Sequence, residues 1–448
     1  MASQRSSAVD ADLHRDRRRA LLDALPTGSL VVMAAYSQKV RSKNIKYHFR
    51  QDNDFLYLTG FAEPDAYAVL YREGADDKLV LFCRPRDKDA EVSFGRRSGP
   101  EGAICDYGAD NAFIIDEFEP KLLELLKGKT RIYVSDELNR LPNLWQLINR
   151  ERFQTPFDVP KAYRQLSALA SVLHPMRVIK SKPEIALIRR AVDASVAGHK
   201  ALMQAAAPGI NEGVLAATFM LEIARHGCVD VGYPNIVAAG NNACCLHYEE
   251  NCCTVNEGEL VLVDAGAEYG HYSADITRTF PATGRFTPAQ RRIHNLVLAA
   301  LDTAIARVHP GTRWNVLYET CMEVMAKGLI ELGLLQGSLD EVMKSESYKR
   351  FTVHKTGHWL GMDVHDVGPY QDDSGNWRAL EPGMVFTIEP GIYIPADAMD
   401  VPSEYRGMGV RIEDDMLVTE DGCENLSAAC PRSTDEIEAF MAGRITVG

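Results

Sequence analysis

The sequence lacks the features of a membrane or secreted protein. It has no run of about 18 apolar residues, which a membrane-spanning helix would require. Met1–Arg19 is polar and charged without an apolar core, so we expect no secretory signal peptide. From these two absences we predict a cytoplasmic protein with no membrane partner.

An excess of positive charge is also absent. The 49 Lys and Arg residues are outnumbered by 62 Asp and Glu residues, and the formal net charge is −13. A general nucleic-acid-binding protein presents a basic surface, so this balance argues against that class. We therefore expect no nucleic-acid partner.

Cysteines are too sparse for a disulfide scaffold, with ten in 448 residues. Four of them flank His247 and could be read as a zinc site: Cys244, Cys245, Cys252 and Cys253. Adjacent cysteines lack the C-x2-C spacing of zinc-binding loops. We expect buried, reduced thiols that pack as small apolar groups, and the zinc site remains an alternative.

The composition is that of an ordinary globular protein, with 46% apolar and 25% charged residues, and the length suits two domains. Residues from Leu21 to Asn143 alternate apolar strands with helical pieces, which predicts an α/β domain with a mixed sheet. We place the boundary near residues 174–180, giving domains 1–176 and 177–448. The predicted strands are Ser29–Met33, Phe55–Leu58, Ala66–Tyr71, Leu79–Cys83 and Ile132–Val134, and the predicted helices are Phe118–Leu126 and Tyr163–Leu173.

The second domain shows the same order of elements twice. Capping boxes at Ser181 and Thr287 each begin a helix that ends before a Pro-Gly pair. A second helix follows each pair, at about Asn211–His226 and Trp314–Leu332, and acid-bearing strands come next. This repetition predicts an internal duplication.

The strands of the first copy form a predicted hairpin, Gly258–Phe280, with its turn at Tyr269-Gly270. That turn places Asp264 directly opposite Asp275, on the same face of the hairpin. Two facing carboxylates repel each other unless a positive charge lies between them. The alternative is that one aspartate is a turn residue and the other a surface charge.

The second copy repeats this arrangement. Gly383–Glu389 has the spacing of Gly258–Asp264, and the chain returns through a strand that contains Glu413. A pseudo-twofold axis relating the copies would bring all four acids together. Four carboxylates in one cleft cannot all remain ionised without cations, so we expect bound divalent metal.

Three histidines lie within twelve residues of the second copy: His354, His358 and His365. Gly357 and Gly361 between them would let the backbone approach a site closely. A single histidine is more often structural, but three beside predicted acids suggest that at least one is a metal ligand.

In this order, Asp264, Asp275, His358, Glu389 and Glu413 resemble the ligand set of the pita-bread metallopeptidases, which include methionine aminopeptidase, prolidase and aminopeptidase P. The resemblance covers the whole second domain. It implies a pita-bread fold in which the acids chelate or bridge two divalent ions and the histidine binds one of them. Oxygen-rich ligation favours Mn²⁺ over Zn²⁺, and the resemblance implies the same metal.

Three segments look most like bacterial aminopeptidase P: Tyr47–Phe61, Gly240–Tyr248 and Gly357–Asp366. Methionine aminopeptidases lack the N-terminal domain that the first segment resembles. Creatinase shares the fold but works without metal, and the intact ligand set argues against it.

Two metal ions about 3.5–4 Å apart can activate water and polarise a scissile carbonyl. Glu389 is then a candidate general base. The resemblance implies that His247, His354 and His365 line the cleft, position the substrate and stabilise the reaction intermediate.

Three further residues have two interpretations each. Arg411 shares a strand face with Glu413, so it could support a carboxylate or bind substrate. Tyr233 and Tyr393 resemble pocket residues of the family, and each could equally be a core tyrosine.

The resulting prediction is an Xaa-Pro aminopeptidase acting on peptides with proline in second position. A prolidase restricted to dipeptides is the alternative, and a non-catalytic binding protein with the same fold is a more remote one. The resemblance also implies a homodimer or homotetramer, in which a neighbouring N-terminal domain lies near the cleft.

Overall fold

The structure is a computed structural model that describes residues 8–135 and 165–443. Its contacts divide the chain into two compact units, Met1–His174 and Pro175–Gly448. In the described ranges, no helix combines the length and the apolarity needed to cross a membrane.

The first unit is an α/β domain built on a mixed sheet, as the sequence predicts. Its strands in the described ranges are β1 (Ser29–Ala34), β2 (Val40–Ser42), β3 (Ile45–Lys46), β4 (Tyr67–Glu73), β5 (Asp76–Cys83), β6 (Asn111–Ile114), β7 (Arg131–Val134) and β8 (Gln165–Ala168). The sheet order is β6-β5-β4-β1-β7-β8, and β2 pairs separately with β3. The β1–β4 and β4–β5 pairs are antiparallel, and the other pairs in the large sheet are parallel.

Helices cover this sheet and complete its core. They are α1 (Ala8–Ala24), α2 (Asn53–Thr59), α3 (Lys88–Phe94), α4 (Gly99–Cys105), α5 (Phe118–Leu125) and α6 (Ala170–Val178), within which the division between the units falls. Alternate strand residues such as Leu30, Val32 and Phe82 pack against Phe118 and Leu122 of α5. The period of two along the strands thus supplies one apolar face to the core.

Two predictions in this unit are wrong. Phe55–Leu58 belongs to α2, because the side chain of Asp52 caps that helix by accepting a bond from the Phe55 N–H at 2.8 Å, and Gly60 ends it at φ 66°. Gln165–Ala168 is the strand β8, not the start of a helix; Tyr163 of that predicted helix lies outside the described residues. Aromatic and leucine residues occur in both kinds of element, so the apolar run alone misassigned α2.

The second unit contains the predicted repeat of helices. Its helices in the described ranges are α7 (Lys182–Ala205), α8 (Glu212–Arg225), α9 (Pro288–Ile305), α10 (Trp314–Glu331), α11 (Leu339–Ser345) and α12 (Thr434–Ala442). Both capping boxes are present: Ser181 with Glu184 and Thr287 with Gln290. Each box satisfies backbone N–H groups at the helix start that have no partner within the helix.

Short strands lie between and after these helices. They are β9 (Asp230–Val231), β10 (Ile236–Ala239), β11 (Leu260–Asp264), β12 (Ala267–Tyr269), β13 (Tyr272–Ser273), β14 (Thr277–Pro281), β15 (Val385–Ile388), β16 (Gly391–Ile394), β17 (Met408–Arg411), β18 (Asp414–Val418) and β19 (Cys423–Asn425). The sheets they form in the described part of the chain have the orders β10-β11-β14, β13-β12-β9, β15-β18-β19 and β16-β17.

The register of the first hairpin differs from the predicted one. Asp264 faces Thr277, not Asp275, because the turn lies at Gly270-His271, one residue later than expected. Asp275 therefore lies two residues before Thr277, the residue that faces Asp264. A shift of two keeps the same strand face, so the prediction of a shared face survives the wrong pairing.

The second hairpin has no such offset. Ile388 faces Asp414 and Gly391 faces Arg411, and the same register places Glu389 opposite Glu413 in the gap between the two ladders. In the first copy the acid of the returning strand, Asp275, thus lies two residues before the position opposite Asp264. In the second copy the corresponding acid, Glu413, lies directly opposite Glu389.

The two copies meet along their returning segments. Thr277 O accepts a bond from the Glu413 N–H at 3.1 Å, and the Asp275 N–H donates to Asp415 Oδ2 at 3.1 Å. At the other end, the Thr279 hydroxyl donates to Arg411 O at 2.9 Å. Thr277 and Glu413 each lie opposite the outgoing acid of their own hairpin, so they occupy equivalent positions in the two copies, and the position equivalent to Asp275, two residues earlier, is Arg411.

A fully buried ion pair also joins the copies. Arg278 Nη2 lies 2.7 Å from Asp414 Oδ1, and both side chains are fully buried. The same guanidinium donates to the carbonyl oxygens of Glu413 and Thr277. Removing one member of such a pair leaves a buried charge without compensation.

We expect Asp414→Ala to lower the free energy of unfolding by about 3–5 kcal/mol, since Arg278 stays buried and charged. Calorimetric unfolding of the full chain would measure the shift in melting temperature. Glu222→Ala is the matched control, because it removes the exposed 2.9 Å pair with Arg225 and should cause a much smaller change. Equal shifts for both variants would contradict this role of the buried pair.

Candidate metal centre and active-site cleft

One cavity of about 1620 Å³ in the second unit contains the predicted metal ligands on its wall. The other predicted residues that line it are Tyr233, His247, His354, His365 and Arg411. Tyr393 lies directly behind the wall, fully buried beside His354 and Arg411. The fold thus brings together residues that are up to 180 positions apart in the sequence.

Oxygen and nitrogen atoms converge at the inner end of this cavity. Asp275, His358 and Glu413 each offer an atom within 4.8 Å of the others. His358 Nε2 lies 3.3 Å from Asp275 Oδ2 and 3.6 Å from Glu389 Oε1. Glu413 Oε1 is buried with no hydrogen-bond partner among the described residues. A divalent cation fits this donor set, because it would supply the partner that the buried oxygen lacks.

The backbone around His358 orients its ring toward the acids. Its Nδ1 lies 3.0 Å from Trp359 O, which fixes Nδ1 as the protonated nitrogen in the neutral ring and leaves the Nε2 lone pair directed at the acids. Gly357 permits the close approach of this segment to β15, since a Cβ there would lie 2.2 Å from Thr387 O. The backbone N–H of His358 also donates a hydrogen bond to Thr387 Oγ1 at 3.2 Å.

Tyr233 and Arg411 hold the two aspartates. The Tyr233 hydroxyl lies 2.5 Å from Oδ1 of both Asp264 and Asp275, yet it has one proton and can donate to one carboxylate at a time. Arg411 Nη2 donates to Asp264 Oδ2 at 2.6 Å. Of the two interpretations of Arg411, this geometry favours support of a carboxylate.

The protonation of the metal-free cluster reflects crowding of like charges. Burial and the neighbouring acids raise the pKa of Asp275 and Glu413, and burial raises the pKa of Glu389 to about 7. Burial acts in the same direction on Asp264, but Arg411 and Tyr233 outweigh it and lower the pKa of Asp264. Burial would lower the pKa of His358, yet Asp275 and Glu389 raise it to about 9. The metal-free cluster thus holds protons that cations would displace.

A second network runs away from Asp264 along the cavity wall. Arg411 Nη1 donates to the Tyr393 hydroxyl at 2.7 Å, and that hydroxyl donates to His354 Nε2 at 2.8 Å. His354 Nδ1 donates to Lys355 O at 2.6 Å. Burial, followed by the charge of Arg411, lowers the pKa of His354 to about 4, so the ring is neutral at pH 7. Tyr393 is therefore a link in a polar chain and not a plain core tyrosine.

His247 and His365 lie at the mouth of the cavity, where both side chains are exposed. The ring of His365 lies 4.3 Å from that of His358, measured between centroids. Partial desolvation of the ring beside His358, followed by the charges of His358 and His247, lowers the pKa of His365.

The structure adds buried supporting residues that the sequence did not indicate. Glu212 accepts bonds from Ala239 N, Asn242 Nδ2, Cys253 N and the Tyr248 hydroxyl, and so holds the loop that carries His247. His199 donates from Nε2 to Ala265 O at 3.0 Å, next to Asp264. A lone acid or histidine in a helical pattern carries no signal of such a role.

Asp415 is a further acid at the centre, and its Oδ2 accepts the N–H of Asp275. Burial, together with the charge of Asp275, raises its pKa far above the usual range. The run Glu413-Asp414-Asp415 could have suggested it, but consecutive acids usually form a solvated surface.

The expectation of buried cysteines around His247 is wrong: Cys245, Cys252 and Cys253 are exposed, and Cys244 is half-buried. They lie in the loop that Glu212 holds, where the polar backbone remains close to the surface. Among the described residues, none of these cysteines joins a group of three potential metal ligands, so the zinc alternative has no support from geometry.

The chain matches two family descriptions. Residues 186–420 match metallopeptidase family M24, and residues 14–133 match the aminopeptidase P N-terminal domain. The Xaa-Pro aminopeptidase of Escherichia coli is 41% identical, over 97% of this chain and 98% of that protein. Aminopeptidase PepP of Pseudomonas aeruginosa superposes with a TM-score of 0.93 at 43% identity, over 96% of this chain and 98% of that one. A zinc-substituted Escherichia coli aminopeptidase P in complex with product gives a TM-score of 0.91 at 40% identity, over 97% and 99%.

The chain belongs to the metallopeptidase family M24, and it is a metallo-aminopeptidase. Within that family it groups with aminopeptidase P, the Xaa-Pro aminopeptidases. The predicted pita-bread class and the resemblance to bacterial aminopeptidase P are confirmed. The N-terminal match favours an aminopeptidase over the prolidase alternative.

We expect metal binding to release protons at pH 7, because Glu413, Asp275, Glu389 and His358 have raised pKa values in the metal-free protein. Groups with raised pKa values keep their protons to higher pH, and they must lose these protons to become ligands. Metal affinity should therefore increase as pH rises from about 6 to 8. Isothermal titration calorimetry in buffers with different ionisation enthalpies measures the release. A binding enthalpy independent of the buffer would contradict it.

Proposed function

We propose that this enzyme removes the N-terminal residue from peptides whose second residue is proline, with two divalent ions held by Asp264, Asp275, His358, Glu389 and Glu413. The observation that carries the proposal is the convergence of three buried carboxylates, the half-buried carboxylate of Glu389 and one imidazole nitrogen in a single cleft. The family and the relatives support the activity and the general need for divalent metal. The roles of individual residues rest on their geometry.

When bound, the pair of ions supplies an activated water molecule and a Lewis acid for the scissile carbonyl. Glu389 lines the cavity beside the other proposed ligands, so it is placed to accept the proton of the attacking water. The polar chain from Arg411 through Tyr393 keeps His354 Nε2 in place beside the reacting centre. His247 and His365, at the mouth, are placed to contact the substrate.

We further propose Mn²⁺ as the metal. The donor set has carboxylate oxygens and a single imidazole, which suits a hard ion. Zinc is the competing ion, but structural zinc sites are built mainly from cysteine sulfur and histidine nitrogen ligands. The cytoplasmic location stays a prediction.

A homodimer or homotetramer is also proposed, with contacts through the first unit. That unit exposes an apolar patch on the β2–β3 hairpin and α3, where Val92 and Phe94 are 88% and 74% exposed. Lys46 Nζ lies 5.5 Å from the centre of the Phe94 ring, which shows that the hairpin and α3 are neighbours. Exposed apolar patches of this kind mark protein–protein contacts.

The patch has a direct test. Phe94→Asp should lower the mass measured by sedimentation velocity, because it places a charge at the centre of the proposed contact. Leu221→Asp is the control, since Leu221 is an exposed residue of the other unit. A wild-type protein that sediments as a monomer would remove the proposal.

The proposed activity is tested with Ala-Pro and Ala-Pro-Ala-Ala in the presence of Mn²⁺. We expect release of alanine from the longer peptide, as for an aminopeptidase. Turnover of the dipeptide alone would instead identify a prolidase. Bound metal after dialysis, with no turnover of either peptide, would favour the non-catalytic alternative.

Glu389→Ala should lower both activity and metal affinity, because one side chain is proposed as ligand and base. Loss of a general base alone costs roughly 10²–10⁴-fold in rate. Glu331→Ala, at the exposed end of α10, is the control and should retain both properties. Undiminished turnover by Glu389→Ala would exclude it from the mechanism.

A further inference from the structure

A short loop connects the proposed metal ligand His358 to the cavity residue His365. It spans residues 359–366, and the Asp366 N–H closes it by donating to Trp359 O at 2.8 Å. Each histidine directly precedes one end of this closing bond. Their rings therefore lie side by side, with 4.3 Å between the ring centroids. The position of His365 thus depends on what holds the base of this loop.

Buried ions hold this base, and we call Arg177, Lys180 and Asp366 the Asp366 ion cluster. Arg177 Nη2 lies 2.7 Å from Asp366 Oδ1, and Lys180 Nζ lies 2.9 Å from Asp366 Oδ2. The three side chains are only 1–3% exposed, and none of them lines the cavity. Arg177 Nη2 also lies 2.8 Å from Oδ2 of Asp363, within the loop. A separate cation thus holds each oxygen of the Asp366 carboxylate.

The loop leaves room for this cluster at Gly361. A Cβ at that position would lie 2.2 Å from Asp366 Oδ2 and 3.0 Å from Lys180 Cε. Because cations hold both carboxylate oxygens, a larger residue would have to break the cluster, and glycine avoids this. The Gly361 carbonyl oxygen also accepts the Ser273 N–H at 2.8 Å, which joins the loop to β13. The loop is therefore fixed at two places.

Stability alone does not explain why this loop is held by ions. Replacing a buried ion group by apolar residues of similar volume is often neutral or stabilising, because burial of charge costs solvation energy. Burial would raise the pKa of Asp366, but Lys180 and Arg177 outweigh it and lower that pKa, so the carboxylate is ionised at pH 7. Two cations on one planar carboxylate fix its direction, and with it the backbone of Asp366. The preceding residue, His365, is exposed, so its place depends mainly on this backbone.

We propose that the Asp366 ion cluster positions His365, and that Lys180 and Arg177 thereby affect the reaction without touching the substrate. The inference rests on the proposed function, in which His365 contacts the substrate at the cavity mouth. The two cations hold the Asp366 carboxylate, and the Asp366 N–H closes the loop. The closed loop keeps the His365 ring beside His358. The three members of the cluster are thus positioning residues and not catalytic ones.

Lys180→Met tests the proposal, because methionine fills a similar volume without the charge. We expect kcat/KM for Ala-Pro-Ala-Ala with Mn²⁺ to fall by roughly 10–100-fold, as for a misplaced contact residue. Lys180→Arg should restore most of the activity, since a guanidinium can still pair with the Asp366 carboxylate. Lys327→Met is the matched control and should retain full activity, because Lys327 is an exposed residue of α10 outside the cavity.

A double variant that combines Lys180→Met with His365→Ala separates positioning from a general structural role. If Lys180 acts through His365, Lys180→Met should change kcat/KM by less than about twofold when His365 is already alanine. Equal losses in the two backgrounds would overturn the proposal. Bound metal should be the same in the wild type and in Lys180→Met. Loss of metal would also overturn the proposal, because it would place the effect at His358.

Asp363→Asn replaces Lys180→Met if that variant does not fold. Asp363 is 41% exposed, so the change removes one contact of Arg177 and leaves the buried ion pairs intact. We expect a smaller loss of kcat/KM, again absent when His365 is alanine. No loss in either background, or an equal loss in both, would overturn the proposal.

Crystal structures of the wild type and the variant distinguish failure of this inference from failure of the proposed function. If the wild type cleaves no peptide, the proposed function fails, and the position of His365 still tests the cluster. We expect the distance between the ring centroids of His358 and His365 to increase by about 1 Å or more in Lys180→Met. An unchanged position of His365 would overturn the positioning role, whether or not peptides are cleaved.

Discussion

Burial of like charges in one cleft is the constraint on which the second unit depends. Asp264, Asp275, Glu389 and Glu413 are drawn together by strands that pair for reasons of backbone bonding and core packing. Their carboxylates cannot all ionise there without cations. Arg411 relieves part of this repulsion at Asp264, and the protons on the other acids relieve the rest until metal binds. The supporting side chains, Tyr233 above all, make chemical sense only around such a charge cluster.

The internal duplication explains how the cluster forms without being symmetric. Each copy contributes an outgoing and a returning strand, and the returning segments meet antiparallel at Thr277 and Glu413. Asp275 stands two residues before the position that corresponds to Glu413, and the matching place in the second copy is Arg411. One position thus holds a negative charge in one copy and a positive charge in the other. The two copies share a backbone arrangement but contribute different charged side chains to the site.

Much of this arrangement could be predicted from the sequence. The capping boxes at Ser181 and Thr287 fixed the helix starts, since those bonds are local. The strand face of the acids was predicted because side-chain direction alternates whatever the register. The partner of Asp264 across the hairpin was not predicted correctly. The exact turn position depends on backbone conformation, and no single residue in the loop indicates it. Helix α2 was misassigned for a similar reason: Asp52 caps it, but the apolar run suits either kind of element.

The residues that sequence reasoning missed share a physical cause. Glu212 and Asp415 act through bonds to backbone groups that are distant in the chain, so no spacing pattern reveals them. The exposure of Cys252 and Cys253 likewise follows from the loop that Glu212 holds, and not from the apolar character of cysteine. Tertiary context decides such positions, and it is visible only when the elements have been assembled.

Asp275 in the first copy and Arg411 in the second occupy equivalent positions but carry opposite charges. This difference affects how metal ions bind to the centre. A cation near Asp264 experiences the fixed positive charge of Arg411, whereas one beside His358 is surrounded by acids and a neutral nitrogen. Coulomb repulsion from the guanidinium weakens the first location relative to the second. If two ions occupy the centre, as proposed, we expect them to bind stepwise, with the ion beside His358 binding first.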